Sequence, residues 1–218
     1  FGEMYKKKPF FIVFEGIEGC GKSFQSKKLF NRLKKKKADV ILTREPGGTK
    51  SSELIRNLIL KDYFEKNSKE KFDKYTDTLL YLAARNEHIK NKIKPALLKK
   101  KIVICDRFVD STIAYQVYGK KINIKFIQNI HKKILEGIKP NIVFILKVSK
   151  KISRNRLKKR KNKNRYDNFA QSFYTKAQNS FIKIAKNKKN YYILNSSSND
   201  DTLEHQIFDI IKKHLNFR

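Results

Sequence analysis

Tryptophan is absent from the 218 residues, methionine occurs once, proline four times and cysteine twice. Two cysteines, Cys20 and Cys105, cannot staple a chain of this length, which fits a reducing compartment and a cytoplasmic location. No apolar run approaches the roughly 18 residues of a membrane span, so no membrane partner is expected. Lys6 to Lys8 lead into a strand-like stretch instead of a cleavage site, so no secretory leader is expected either. Phe1 to Glu3, ahead of Met4, read as a tag remnant, and residues 1–9 as an N-terminal tail. Linkers rich in Pro, Gly or Ser and internal repeats are also lacking, which leaves a single domain over 10–218. Hydrophobic residues make up 39% of the chain, with 16 Phe and 10 Tyr, enough to fill one core.

Acidic residues are scarce too: 20 Asp+Glu face 52 Lys+Arg, a formal net charge of +32. Such a balance is the electrostatic footprint of a nucleic-acid binder. The residue types argue for a compositional origin. Lysine supplies 42 of the basic residues and arginine only 10, beside 25 Ile and 18 Asn, the residues that A+T-rich codons favour. Lysine of this kind sits solvated on helix faces, and no nucleic-acid partner is expected.

Short apolar runs alternate with longer amphipathic ones. Phe10 to Glu15, Val40 to Thr43, Ile102 to Cys105, Ile142 to Val148 and Tyr191 to Leu194 read as strands. Lys22 to Lys37, Ser51 to Leu60, Tyr75 to Lys99, Lys125 to Gly137, Phe169 to Lys186 and Thr202 to Leu215 read as helices. Near-continuously apolar strands separated by helices predict a five-stranded parallel sheet covered on both faces, an α/β fold with ligands at the carboxyl ends of its strands. Lys61 to Lys74 is polar and predicted to be a loop. Lys150 to Arg165 is dominated by Lys and Arg, with Ile152 and Leu157 as its only large apolar residues, and is expected to be mobile unless a ligand orders it.

The first strand ends in Gly16-Ile17-Glu18-Gly19-Cys20-Gly21-Lys22-Ser23, a G-x-x-x-x-G-K-S loop between strand and helix. Its glycines let backbone N–H groups curl around phosphate oxygens, Lys22 can reach the β and γ phosphates, and Ser23 offers a hydroxyl to Mg²⁺. The loop implies a nucleoside triphosphate and leaves the phosphoryl acceptor open. No His or Cys cluster has zinc-ligand spacing.

Three further constellations stand where strands end: Thr43-Arg44-Glu45-Pro46-Gly47-Gly48-Thr49; Leu79 to Arg85, with Tyr81 and Arg85 one helical turn apart; and Asp106-Arg107-Phe108-Val109-Asp110-Ser111-Thr112-Ile113-Ala114-Tyr115-Gln116. Together with the phosphate loop, in this order and spacing, they resemble the thymidylate kinase family, colinearly from about Phe10 to Leu215. The resemblance implies the three-layer P-loop kinase fold and phosphorylation of dTMP by ATP with Mg²⁺. By it, Arg107 clamps the acceptor phosphate, Asp106 holds the metal or its water, and Arg44 lies near the acceptor phosphate. Tyr81 stacks on thymine, Arg85 bonds the base edge, and Thr112 and Gln116 complete the base contacts. Tyr115 abuts the sugar where it can exclude a 2′-hydroxyl, and Glu18 faces the 3′-hydroxyl. On the residues alone, Tyr81 and Tyr115 also read as core aromatics, Arg85 as an ion-pair partner and Asp106 as a turn cap.

Within the family, the segment at about 150–167 resembles the lid that closes over ATP, and Arg156, Arg160 and Arg165 align with the arginines of its lid-arginine bacterial subclass. The resemblance gives Arg156 the adenine and Arg160 or Arg165 the phosphates; the sequence does not choose between the last two. It also implies a homodimer. Two departures stand out: Lys147 replaces a usual Asp, and Phe24 a small hydroxyl residue. The rivals are a kinase of the same scaffold acting on another acceptor such as dUMP, and a basic phosphate-loop ATPase binding nucleic acid.

Overall fold

β-Branched and aromatic residues concentrate in five short runs, and these become one parallel sheet. The computed structural model describes residues 8–61, 70–160, 171–198 and 201–215. β1 (Phe10–Glu15), β2 (Val40–Arg44), β3 (Ile102–Asp106), β4 (Ile142–Lys147) and β5 (Tyr191–Asn195) lie in the order β2-β3-β1-β4-β5. β1 is central and buried along its whole length, so its sequence is apolar on both faces until Glu15. The register sets Phe14 opposite Asp106, and Arg44 opposite the same residue. The carboxyl ends of β1, β3 and β2 are therefore level, and the three segments that leave them start side by side.

Helices cover both faces: α1 (Lys22–Lys35), α2 (Lys50–Leu60), α3 (Lys74–His88), α4 (Lys94–Leu98), α5 (Val109–Thr112), α6 (Ile124–Ile134), α7 (Lys150–Lys158), α8 (Gln171–Ala185) and α9 (Thr202–Leu215). Thr49, Asp73, Asn123 and Ser149 cap α2, α3, α6 and α7 by accepting a backbone N–H. Each such cap contributes about 1 kcal/mol. Phe11, Phe14, Phe108, Phe144 and Phe181 are fully buried, with Phe11 and Phe108 edge to face at 5.0 Å. Burying each of them stabilises by roughly 1.5–3 kcal/mol.

The strands fall within a residue or two of their expected limits, and most helices follow. The expected helix 75–99 changes hydrogen bonding midway: α3 passes through a π-helical stretch, Ile89–Ile93, into α4. A helix over Val109–Gly119 was not expected; it runs from α5 into a second π-helical stretch, Ile113–Gly119. The basic segment expected to be mobile instead forms α7 over its first part, with Ser153 and Leu157 buried. Residues 161–167 of the expected lid, Arg165 among them, and 62–69 of the expected loop lie outside the described residues.

Candidate active site

The turn after β1 is shaped by glycine. Gly19 has φ +71°, and a Cβ there would stand 2.7 Å from the Ser153 carbonyl oxygen, so α7 could not approach the loop as it does. That approach is held by polar contacts: Ser153 Oγ donates to the Glu18 carbonyl (2.8 Å), and Arg156 donates to the carbonyls of Gly19 (3.3 Å) and Ser196 (3.0 Å). Gly21 caps α1, so the positive end of that helix opens into the loop. Lys22 is buried, its ammonium donating to the Ile17 carbonyl at 2.8 Å. Gly16, Ile17 and Cys20 shape the turn from beneath, Ile17 and Cys20 as buried side chains.

At the tip of β3, Asp106 faces the start of α1 and accepts the Ser23 hydroxyl through Oδ2. Its other oxygen, Oδ1, is buried with no hydrogen-bond partner among the described residues. Arg107 follows with φ +74°, a left-handed conformation costing roughly 1 kcal/mol that turns its side chain back across the end of β1. Its guanidinium donates to Glu18 Oε1 (2.7 Å), the Gly16 carbonyl (3.0 Å) and Ser111 Oγ (3.0 Å). Glu18 Oε2 accepts the Tyr115 hydroxyl at 2.6 Å. Burial works against the Arg107 charge, but the Tyr115 phenol and the carboxylates of Glu18, Asp106 and Glu15 outweigh it and hold Arg107 well above the usual guanidinium range. Beneath them Glu15, fully buried, accepts from Phe108 N, Ser111 N and Ser111 Oγ. Burial and then the Asp110 carboxylate push Glu15 up to about 8, against the pull of Arg107 and those donors.

The deep end of the cavity is built around Arg85. It is 3% exposed and donates to Glu45 Oε2 (2.7 Å), Thr112 Oγ1 (2.8 Å), the Phe108 carbonyl (2.8 Å) and His131 Nε2 (2.8 Å). Arg85 and His88 hold Glu45 below the usual carboxylate range despite its burial. Gln116 is also buried, and its amide Nε2 has no partner among the described residues. Tyr115 packs on Phe173 and Phe181, and Arg107 lies 5.3 Å from the centre of its ring.

The phosphate loop, the tips of β2 and β3 and the Arg85 end together border one cavity of about 580 Å³, a size suited to a small-molecule substrate. Of the residues expected from sequence to act, Glu18, Lys22, Ser23, Arg44, Tyr81, Arg85, Asp106, Arg107, Thr112, Tyr115, Gln116, Arg156 and Arg160 line it. Arg44 is exposed at the mouth, where both Glu53 oxygens accept from it at 3.1 Å. The sequence did not single out Arg56, Glu45 or His131. Arg56, from α2, lines the cavity and donates to the Pro46 carbonyl at 2.5 Å. Its place in E-L-I-R, one turn past the conspicuous T-R-E-P-G-G-T, was the available signal. Six arginines and one lysine border the cavity of a chain that holds 42 lysines, so the guanidinium fork, suited to paired oxyanion contacts, is concentrated here.

A parallel sheet with a phosphate loop after its central strand, and a basic cavity beyond that loop, defines the class: an α/β phosphate-loop kinase. Within that class the chain belongs to the thymidylate kinase family, whose model matches residues 14–207. The thymidylate kinase of Wolbachia pipientis wMel is 44% identical over 177 residues, 80% of this chain and 84% of that protein. The thymidylate kinase of Onion yellows phytoplasma (strain OY-M) is 40% identical over 209 residues, 94% of this chain and 96% of that protein. The crystal structure of the Ehrlichia chaffeensis thymidylate kinase superposes with a TM-score of 0.74 at 32% identity, covering 94% of this chain and 99% of that one. The chain is accordingly an ATP-dependent kinase of nucleotide biosynthesis. Among the described residues, no helix is long and apolar enough to cross a membrane.

Proposed function

We propose that the cavity binds ATP at the phosphate loop and dTMP between Arg107 and Arg85, and transfers the γ-phosphoryl group to give ADP and dTDP. One observation carries the acceptor: Arg85 and Gln116 both border the cavity, the Gln116 amide without a partner and Arg85 with one more N–H than its acceptors among the described residues, so this end offers donors. Thymine presents two keto oxygens. Tyr81 flanks the base as a stacking face, and Thr112 completes the contacts. On this reading the Tyr115 ring excludes a 2′-hydroxyl, and the Glu18 carboxylate faces the 3′-hydroxyl.

The acceptor phosphate falls to Arg107, with Arg44 and Arg56 approaching from the mouth. A phosphate monoester is already largely ionised at neutral pH, so its oxygen attacks the γ-phosphorus in line without a general base. The chain's work is to align two polyanions and to aim cations at the transferring group. Lys22 serves the donor phosphates, Arg156 from α7 the adenine side, and Arg160 or Arg165 the migrating phosphoryl group.

The buried, unpartnered Asp106 Oδ1 beside the Ser23 hydroxyl fits Mg²⁺, which takes few protein oxygens and completes its shell with water and phosphate. Among the described residues no group of three or more His, Cys, Asp or Glu could hold a metal on its own, in keeping with an ion shared with the substrate. When bound, the ion would offset charge on the donor phosphates.

A cytoplasmic homodimer completes the reading, as one domain over 10–218 with a lid at about 150–167. Leu54 and Leu58 on α2 and Leu79 on α3 are exposed, an apolar surface on two packed helices that a second copy would cover. Coupled ADP release measured across dTMP, dUMP, UMP, dGMP and thymidine tests the assignment. Fastest turnover is expected with dTMP, and a better acceptor among the others would overturn it.

A further inference from the structure

Arg85 has five N–H groups, and the structure accounts for four of them. Nε meets Glu45 Oε2, Nη1 meets both Thr112 Oγ1 and His131 Nε2, and Nη2 meets the Phe108 carbonyl. The fifth, on Nη2, has no acceptor among the described residues, and Arg85 borders the cavity beside the unpartnered Gln116 amide. The four acceptors come from four places: the turn after β2, α5, the turn after β3, and α6. Glu45 is itself fixed, since His88 Nδ1 lies 3.1 Å from its other oxygen and His88 Nε2 lies 2.6 Å from Thr43 Oγ1.

His131 is the member of this set with no role in the cavity wall. It is 6% exposed on α6, and a guanidinium only donates, so its Nε2 must carry a lone pair and its proton must reside on Nδ1. Burial and then the Arg85 charge push its pKa down to about 3, so the acceptor persists through neutral and mildly acidic pH.

We propose that His131 is a positioning residue for base selection: by accepting one Nη1–H it locks the Arg85 fork so that the remaining N–H meets the 4-keto oxygen of a pyrimidine nucleotide. A 4-amino group at that position is itself a donor and would face Arg85 donor to donor. Without the imidazole, one edge of the fork loses its acceptor and the guanidinium can turn away from the base. The role deepens the dTMP assignment and rests on Arg85 reading the base.

The test compares His131→Leu with His131→Gln in the full chain, because the Gln Oε1 reaches about as far from the backbone as Nε2 and restores an acceptor. With ATP saturating, His131→Leu should raise KM for dTMP about tenfold, the scale of one lost bond to a charged group. The preference for dTMP over dCMP should shrink by a similar factor, while kcat and the KM for ATP change little. His131→Gln should recover most of the loss. A folded His131→Leu protein with wild-type KM and selectivity would overturn the proposal, as would a folded His131→Gln protein as impaired as the Leu variant. Should the Leu variant not fold, nitrogen-15 spectra of the wild type decide: an unprotonated Nε2 is expected, and a proton on Nε2 refutes the role. Wild-type failure to turn over dTMP would instead refute the assignment on which the proposal rests.

Discussion

Replacing Arg107 by Ala removes a guanidinium that touches both the acceptor-side network and the phosphate loop. Its three contacts are Glu18 Oε1 at 2.7 Å, the Gly16 carbonyl at 3.0 Å and Ser111 Oγ at 3.0 Å. Ala inherits the same left-handed backbone at φ +74°, so backbone strain cancels and the comparison reports the side chain. Loss of one preorganised cation or donor at a transferring group costs about 10²–10³ in turnover, roughly 3–4 kcal/mol. The Glu18 carboxylate, left without its guanidinium, would also oppose the incoming acceptor phosphate, so the upper part of that range is expected for kcat/KM with dTMP. Lys22 and the loop amides remain, so ATP affinity should stay within a few-fold of wild type. Steady-state kinetics in dTMP, calorimetric titration of ATP and a thermal melt separate the effects. Equal losses in ATP affinity and in dTMP turnover would mean that Arg107 props the loop through the Gly16 carbonyl and does not clamp the acceptor.

Three other outcomes follow from the geometry. Glu45→Gln leaves the buried Arg85 charge without its counter-ion, which should cost about 3 kcal/mol and lower the melting temperature by roughly 10 °C; a shift under a few degrees would refute the pairing. Glu15 is raised in the folded state, so its proton favours folding below about pH 4.5 and that contribution is lost as pH rises toward about 8. Glu15→Gln should flatten stability across that window, by up to about 1.4 kcal/mol per pH unit, and a denaturation series with unchanged slope would contradict it. Leu54→Asp with Leu58→Asp should convert a dimer to monomer in sedimentation without loss of helix content, and an unchanged assembly would move the interface elsewhere.

Apolar runs with abrupt ends specified the strands because β1, β3 and β4 are covered on both faces and leave no room for alternation. The phosphate loop was legible for a related reason: phosphate contact through backbone demands glycine at set places. Val109 to Gly119 hid its helix, since Asp110, Ser111, Thr112 and Gln116 are buried polar residues facing a site and a carboxylate, and they erase the apolar period. Similarly, Arg56 and His131 look like ordinary helix residues in the sequence. What marks them is their partners, the Pro46 carbonyl for Arg56 and the Arg85 guanidinium for His131, which only the fold brings near. Glu45 stood inside a conspicuous motif, yet its task, holding Arg85 from 40 residues away, is a long-range fact.

Glu18 has a consequence for how the two substrates sense each other. Its carbonyl is held by Ser153 of α7, its peptide lies in the phosphate loop, and its carboxylate is shared by Arg107 and Tyr115. The phosphate loop, α7 and the proposed acceptor side of the cavity thus meet in a single residue. If dTMP shifts Glu18 and α7 closes on ATP as proposed, that shift would be felt in the docking of α7, and linkage would require the closure to return the same free energy to dTMP binding. Such reciprocity would be measurable as the common factor by which each ligand tightens the other.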